Sequence, residues 1–309
     1  MSSLSSSKFK VEHEIAAKGF ASGTNDHYDR PFYISARPSY PASAVIYIQS
    51  KITPSTQTSN GGFNLVELGS GTGIFSRLLL SPPDKDATSF ASTKSTSGGG
   101  KEYPEWPIES LYCVEPSEGM REAWNKGTDR LVNERGKADP RKGQDGKDKE
   151  IVTLNGGFAD LSELKERRKT KGLAAEGWAD AVLAAQAWHW AHPKYEEALD
   201  YRNYELNLED DTPQQRRGLW EAMYDTPAYK ELFNTALGDG KGERKWFEWK
   251  MIVDDQAMLD RAFSKSYVTY RPEAEKEQIR KDLTRFLKEW DGQEWVDKEV
   301  RRLSSEVVM

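Results

Sequence analysis

The stretch FNLVELGSGTGIFSRLLL, residues 63–80, constrains the fold of this chain more than any other. FNLVEL reads as a buried strand, GSGTG can continue neither a strand nor a helix, and IFSRLLL opens a helix. A strand that passes through a glycine turn straight into a helix is the first half of a βα unit. Such units build parallel sheets with helices against their faces.

The alternation then repeats. LYCVEPS (111–117) is a second strand, and EGMREAWNKGTDRLV continues as a helix with Met120, Ala123 and Trp124 on one face. IVTLNGGFADL (151–161) gives a third strand and a turn, LSELKERRKTKG a polar helix, and WADAVLAAQAWHW a fourth strand. Four alternations predict an α/β fold with a doubly wound, mostly parallel sheet. Before the first unit, ASAVIYIQSKI after Pro41 has the pattern of a short amphipathic helix, with Val45, Ile46 and Ile48 as core candidates. Further on, 213–237 has helical spacing, WFEWKMIV (246–253) is a strand candidate, and 273–290 is an amphipathic helix. The apolar face of that last helix carries Ile279, Leu283, Phe286, Leu287 and Trp290.

Residues 1–17 are expected to be disordered and 18–309 to form one domain. The Pro/Ser/Thr/Gly-rich stretch 81–107 and the charged stretch 133–150 read as surface insertions. A net charge of −6 argues against a general nucleic-acid binder. The single cysteine, Cys113, excludes an intrachain disulfide and a multi-cysteine metal site. No metal is expected. MSSLSSSKFK lacks the apolar core of a signal peptide, and no window approaches an apolar run of about 18 residues. The expectation is a cytoplasmic protein without a membrane partner.

In VELGSGTG the glycines Gly69, Gly71 and Gly73 fall at every second position. The spacing is G-x-G-x-G and not the G-x-G-x-x-G of dinucleotide sites. Glu67 precedes the turn, where an acid suits an ammonium group and repels a pyrophosphate. Glu115 ends the next strand, in the place of an acid that chelates two ribose hydroxyls. A ligand with an amino-acid end, a ribose and no phosphate fits both acids, and S-adenosylmethionine is such a ligand. The alternative is a tight strand–helix turn that binds nothing.

The series VELGSGTG, VEPSEGM, NGGFADL and ADAVLAAQAWHW resembles class I S-adenosylmethionine-dependent methyltransferases, which have a Rossmann-like sheet. YISARPSYP, AQAWHW and the late SKSY narrow the resemblance to the branch related to trans-aconitate methyltransferase. It covers 18–190 well and 205–290 loosely. The resemblance implies that Glu67, Gly69, Gly71 and Gly73 line the methionine part of the cofactor and that Glu115 binds the ribose. It implies that Phe158, Ala159 and Asp160 flank the adenine, that Gln186 lies beside the sulfonium, and that Tyr28 and Arg37 sit on an N-terminal lid. Asp160 as a helix cap, Arg37 as a surface residue and Tyr28 as a packing residue are the alternatives.

Two of the four histidines, His189 and His192, interleave with Trp188 and Trp190 just past the fourth strand. Ligands of open α/β sheets bind beyond the carboxyl ends of the strands. Trp188 and Trp190 are therefore candidates for walls of an acceptor pocket, and His189 for an orienting group or base. The alternative is packing for the tryptophans and a backbone hydrogen bond for His189. His192, before Pro193, is better read as structural. The resemblance implies a small-molecule acceptor whose carboxylic acid becomes a methyl ester, which needs no base at neutral pH.

Past Pro193 the family pattern stops. No Pro-Gly-Gly-type turn and no run of four apolar residues occur between Ala191 and Leu237. A helix end and strand five are expected to be missing between about 199 and 207, and the C-terminus to lack a last strand. This leaves an alternative function: a catalytically impaired methyltransferase-like binding protein, or the product of a gene model lacking an exon. A nicotinamide dehydrogenase is disfavoured by the glycine spacing and by Glu67.

Overall fold

The computed structural model of the chain describes residues 39–54, 62–82, 103–135, 139–143, 146, 148–158, 160–187, 245–264, 268, 271–289, 294–295 and 301–308. Helix α1 spans Ala42–Ser50. Strand β1 (Phe63–Leu68) leads through the glycine turn into α2 (Ile74–Leu80). Then come β2 (Ile108–Val114), α3 (Glu118–Arg135), β3 (Glu150–Leu154), α4 (Ser162–Thr170) and β4 (Ala181–Leu183).

These four strands form one parallel sheet in the order β3-β2-β1-β4. Successive strand residues point to opposite faces, and both faces are covered. On one face Leu65, Leu111, Cys113 and Ile151 pack with Val45 of α1, Phe75, Leu78 and Leu79 of α2, and Trp124 of α3. On the other, Val66, Leu68, Tyr112, Val114 and Leu154 pack with Leu164 of α4. The α/β expectation holds at this level. The helices that step from β1 to β2 and from β2 to β3 share one face. The helix before β4 lies on the other, so the winding reverses between β1 and β4.

Arg168 is buried on the α4 face. Its guanidinium carbon lies 3.6 Å from the centroid of the Trp178 ring and 5.4 Å from that of Tyr112. Its Nη1 donates to the Tyr112 hydroxyl at 3.2 Å and its Nε to the Ala174 carbonyl at 2.5 Å. A planar guanidinium can stack and donate in its own plane at once, which lets a charge sit inside this layer.

A second, antiparallel sheet has the order β5-β7-β6. It comprises β5 (Trp246–Val253), β6 (Glu294–Trp295) and β7 (Arg301–Val308), with α5 (Asp255–Phe263) and α6 (Glu273–Glu289) between β5 and β6. Phe247 meets Tyr47 of α1 at a ring separation of 5.5 Å, and Ala257 and Met258 of α5 pack on the first core.

Four expectations need correction. The C-terminus does form a strand: β7 pairs along its whole length with β5, from Trp246 opposite Val308 to Val253 opposite Arg301. RRLSSEVV is too polar to announce itself, and its strand state depends on the apolar partner that a long connection brings beside it. The end of the expected insertion 81–107 is core, because Tyr103 and Trp106 are both buried. The Tyr103 hydroxyl donates to the Tyr40 carbonyl at 2.6 Å, and Trp106 lies against Phe63 at 5.2 Å. Helix α3 runs to Arg135, into the expected loop 133–150. In α6, Leu287 is buried but Phe286 is 55% exposed. Ile279, Leu283 and Leu287 recur at four-residue steps and form the packed stripe, and Phe286 falls at its edge.

The expected helix 213–237 and the segment 199–207 lie outside the described residues, as do 1–17. No helix among the described residues is long and apolar enough to cross a membrane.

Candidate functional site

The reversal of winding between β1 and β4 brings two loops together at the carboxyl ends of the strands, the position where open α/β sheets hold ligands. One is the glycine turn after β1; the other is Ala184–Ala187 after β4. Their contact is close: a side-chain carbon on Gly69 would lie 2.6 Å from the Cβ of Ala187. Gly69, Gly71 and Gly73 all have positive φ, at 65°, 55° and 80°. Gly73 heads α2 with its φ in the left-handed region, and a Cβ there would strike the Trp124 indole, with Nε1 only 2.8 Å away. At 69 and 73 the backbone therefore excludes any side chain on conformation and on space. The Gly69 amide donates to the Val114 carbonyl at 2.8 Å, so the turn is tied to the end of β2.

Glu115 lies just past β2 and is buried. One carboxylate oxygen accepts from the Gly71 amide and the other from the Ser117 amide, each at 3.0 Å. The acid thus faces the middle of the glycine turn across the strand ends. Ser117 caps α3, its hydroxyl accepting from the Met120 amide at 3.4 Å.

Glu67, at the end of β1, is only 1% exposed. The Ser76 hydroxyl donates to its Oε2, the Cys113 thiol approaches the same oxygen at 3.7 Å, and the Trp124 indole donates to Ser76 Oγ at 2.9 Å. Burial pushes the Glu67 carboxyl up to about 7, with Glu115 adding to the rise. The Ser76 and Cys113 hydrogen bonds and the nearby Arg77 charge act the other way. Desolvation wins because the donors that reach Glu67 are neutral. The same burial raises the Cys113 thiol well above its ordinary range.

Phe158 is half-buried in the second core layer, its ring 3.5 Å from where a Gly69 Cβ would stand. Asp160 is exposed, and its carboxylate accepts from the Ser162 amide at 3.0 Å and the Ser162 hydroxyl at 2.6 Å. These donors lower its pKa. Asp160 is thus engaged at the start of α4. Gln186 is the one non-glycine residue with positive φ among the described residues, at 54°. Such a conformation costs about 1 kcal/mol or more and tends to mark functional turns.

The structure therefore brings Gly69, Gly71, Gly73, Glu67, Glu115, Phe158 and Gln186 to one end of the sheet. Tyr28, Arg37, Ala159, Trp188, His189, Trp190 and His192 lie outside the described residues. Ser76, Ser117 and Arg121 belong to the site and were not singled out from sequence, because nothing in their spacing distinguishes them from helix surface or cap residues. Arg121 donates from Nη1 to the carbonyls of Glu115 and Pro116, both at 2.7 Å, and to Asn155 Oδ1 at 3.2 Å. A buried acid, Glu115, held by two backbone amides opposes a phosphate and suits a ligand with hydroxyl donors or a positive charge. No protein-family model and no curated protein matches this chain.

Proposed function

We propose that this chain is a class I S-adenosylmethionine-dependent methyltransferase with a Rossmann-like sheet, acting on a small-molecule acid in the cytoplasm. The observation that carries the reading is the placement of Glu115 opposite Gly71 at the strand ends, beside the point where the winding reverses. A strand-end acid facing a G-x-G-x-G turn suits a ribose and disfavours a pyrophosphate. The Ser70 hydroxyl adds support: it is buried in that turn without a hydrogen-bond partner, and such orphans are rare outside sites that something else completes. The family resemblance of the sequence points the same way.

On this reading S-adenosylmethionine, when bound, supplies an electrophilic methyl group. Glu115 accepts the ribose hydroxyls, exchanging its bond from Gly71 for theirs. Glu67 lies beneath the turn, and a bound ammonium group would favour its ionised form over the protonated form that burial favours. Phe158 offers an apolar surface to the adenine. Gln186, held at positive φ, directs its loop toward the reacting centre. Trp188 and Trp190 shield that centre from water, and His189 orients the acceptor. An acceptor carboxylate is already ionised at neutral pH, so positioning and water exclusion provide the acceleration and no base is required. Tyr28, Arg37, Ala159 and Asp160 complete the cofactor side.

The second reading, a methyltransferase-like binding protein without activity, is favoured by one observation. β4 has three residues, ends the parallel sheet among the described residues, and leaves Val182 60% exposed. Calorimetry with S-adenosylmethionine tests the first reading, and absence of binding at millimolar ligand sinks it. Transfer of labelled methyl to a panel of small carboxylic acids separates the two: binding without transfer favours the second.

A further inference from the structure

Arg121 sits in the first turn of α3, where the helix dipole disfavours a cation. What offsets that placement is three oxygen atoms. The β2 ladder ends at Val114, so the Glu115 and Pro116 carbonyls lie beyond it. Arg121 Nη1 takes both at 2.7 Å and reaches Asn155, just past β3, at 3.2 Å. One guanidinium therefore fastens the backbone of the residue whose carboxylate faces Gly71, and ties it to the turn that carries Phe158.

We propose that Arg121 is a positioning residue of the candidate site, setting affinity for a ribose-bearing ligand by fixing where the Glu115 carboxylate starts from, without touching the ligand itself. This rests on the function proposed above. Without Arg121 the two carbonyls turn to water and the peptides at 115–117 are free to rotate. The carboxylate then no longer waits in the geometry that receives two hydroxyls. Lysine keeps the charge and has donors enough for these oxygens, but its shorter side chain ends about one bond short of Nη1, the single atom that meets all three, so it recovers only part of the contacts.

The test is calorimetric titration of S-adenosylhomocysteine into the full chain, alongside thermal unfolding and steady-state methyl transfer. Arg121→Met is expected to weaken binding by about tenfold or more, the scale on which small misplacements act. It raises the KM for S-adenosylmethionine, leaves the acceptor KM unchanged, and keeps a cooperative melt. Arg121→Lys recovers part of the loss. Asn155→Ala, which removes one exposed arm, moves affinity the same way by a smaller factor, and it decides the matter if Arg121→Met does not fold. Affinity within twofold of wild type for Arg121→Met, or for Asn155→Ala where the former does not fold, overturns the proposal. An acceptor KM that rises in parallel, or no recovery with lysine, also overturns it. Failure of the wild-type chain to bind the ligand overturns the proposed function, and this inference with it; wild-type binding with an indifferent Arg121→Met overturns this inference alone.

Discussion

Glu115 accepts the Gly71 amide at 3.0 Å, so the acid that ends β2 closes on the middle glycine of the turn that ends β1. The hydrogen bond joins two neighbouring βα units, at the ends of β1 and β2, beside the place where the winding reverses between β1 and β4. It also leaves a buried carboxylate that a ligand with two hydroxyls can claim.

Glu115→Ala removes that carboxylate and leaves the Gly71 and Ser117 amides without it. On the proposed function, binding of S-adenosylmethionine falls by about a hundredfold or more, the scale of a lost charge-assisted pair of hydrogen bonds. Glu115→Gln keeps the shape and loses most of the affinity. Calorimetry on variants whose melts remain cooperative checks both. Retention of near-wild-type affinity by Glu115→Ala removes the ribose role.

Alanine substitutions at Gly71 and Gly73 separate conformation from space. At Gly71 the nearest atom to a new Cβ is Met120 Sδ at 3.8 Å, so the cost is the positive φ alone, about 1–2 kcal/mol. At Gly73 the Cβ meets the Trp124 indole, with Nε1 at 2.8 Å, and overpacking adds about 1–3 kcal/mol. Urea denaturation is expected to rank Gly73→Ala well below Gly71→Ala. Gly71→Val, with a branched Cβ at a left-handed φ, is expected to abolish ligand binding.

Glu67 makes stability depend on pH. Its carboxyl rises from an ordinary 4.5 to about 7 in the folded chain, first because of burial. Between those values the folded chain holds a proton that the unfolded chain has released. The stabilising effect is complete below 4.5 and is lost as pH rises through about 7, a change of about 3 kcal/mol. Glu67→Gln carries no such proton, so its stability gains on wild type from pH 5 to pH 8. Denaturation midpoints at several pH values measure the difference. Parallel pH profiles for the two chains remove Glu67 from the titration.

Arg168 depends on its two aromatic neighbours more than on any ion pair. Trp178→Ala strips the ring at 3.6 Å and leaves the buried guanidinium without its stacking partner, at a cost of about 1–2 kcal/mol. Arg168→Lys is expected to lose about 1 kcal/mol or more, because an ammonium cannot stack and donate in one plane. Chemical denaturation measures both. Neutral outcomes mean that the stack contributes nothing to folding.

The strand–turn–helix at 63–80 and the strand at 246–253 were legible because each is a local pattern: an apolar run ended by glycines or by a change of periodicity. The core face of Met120, Ala123 and Trp124 was legible for the same reason. Glu67 and Glu115 stood out as acids at strand ends. What each acid touches was not legible. Ser76, Cys113 and Trp124 surround Glu67 from three different elements, and no spacing in the chain announces that convergence. Arg121 reads as an ordinary helix residue until the ends of β2 and β3 stand side by side.

From its sequence alone the chain was committed to βα units, to a turn at Gly69, Gly71 and Gly73 that tolerates positive φ, and to two acids beside it. Those outcomes follow from steric and hydrophobic preferences that act over a few residues. Tertiary structure alone decided that RRLSSEVV is a strand, that Tyr103 and Trp106 belong to the core, and that the Glu115 carboxylate meets Gly71. It also decided that Glu67 titrates near neutrality. Each of these depends on a partner distant in sequence, and the energies involved, in strand pairing, burial and desolvation, exist only once that partner is in place.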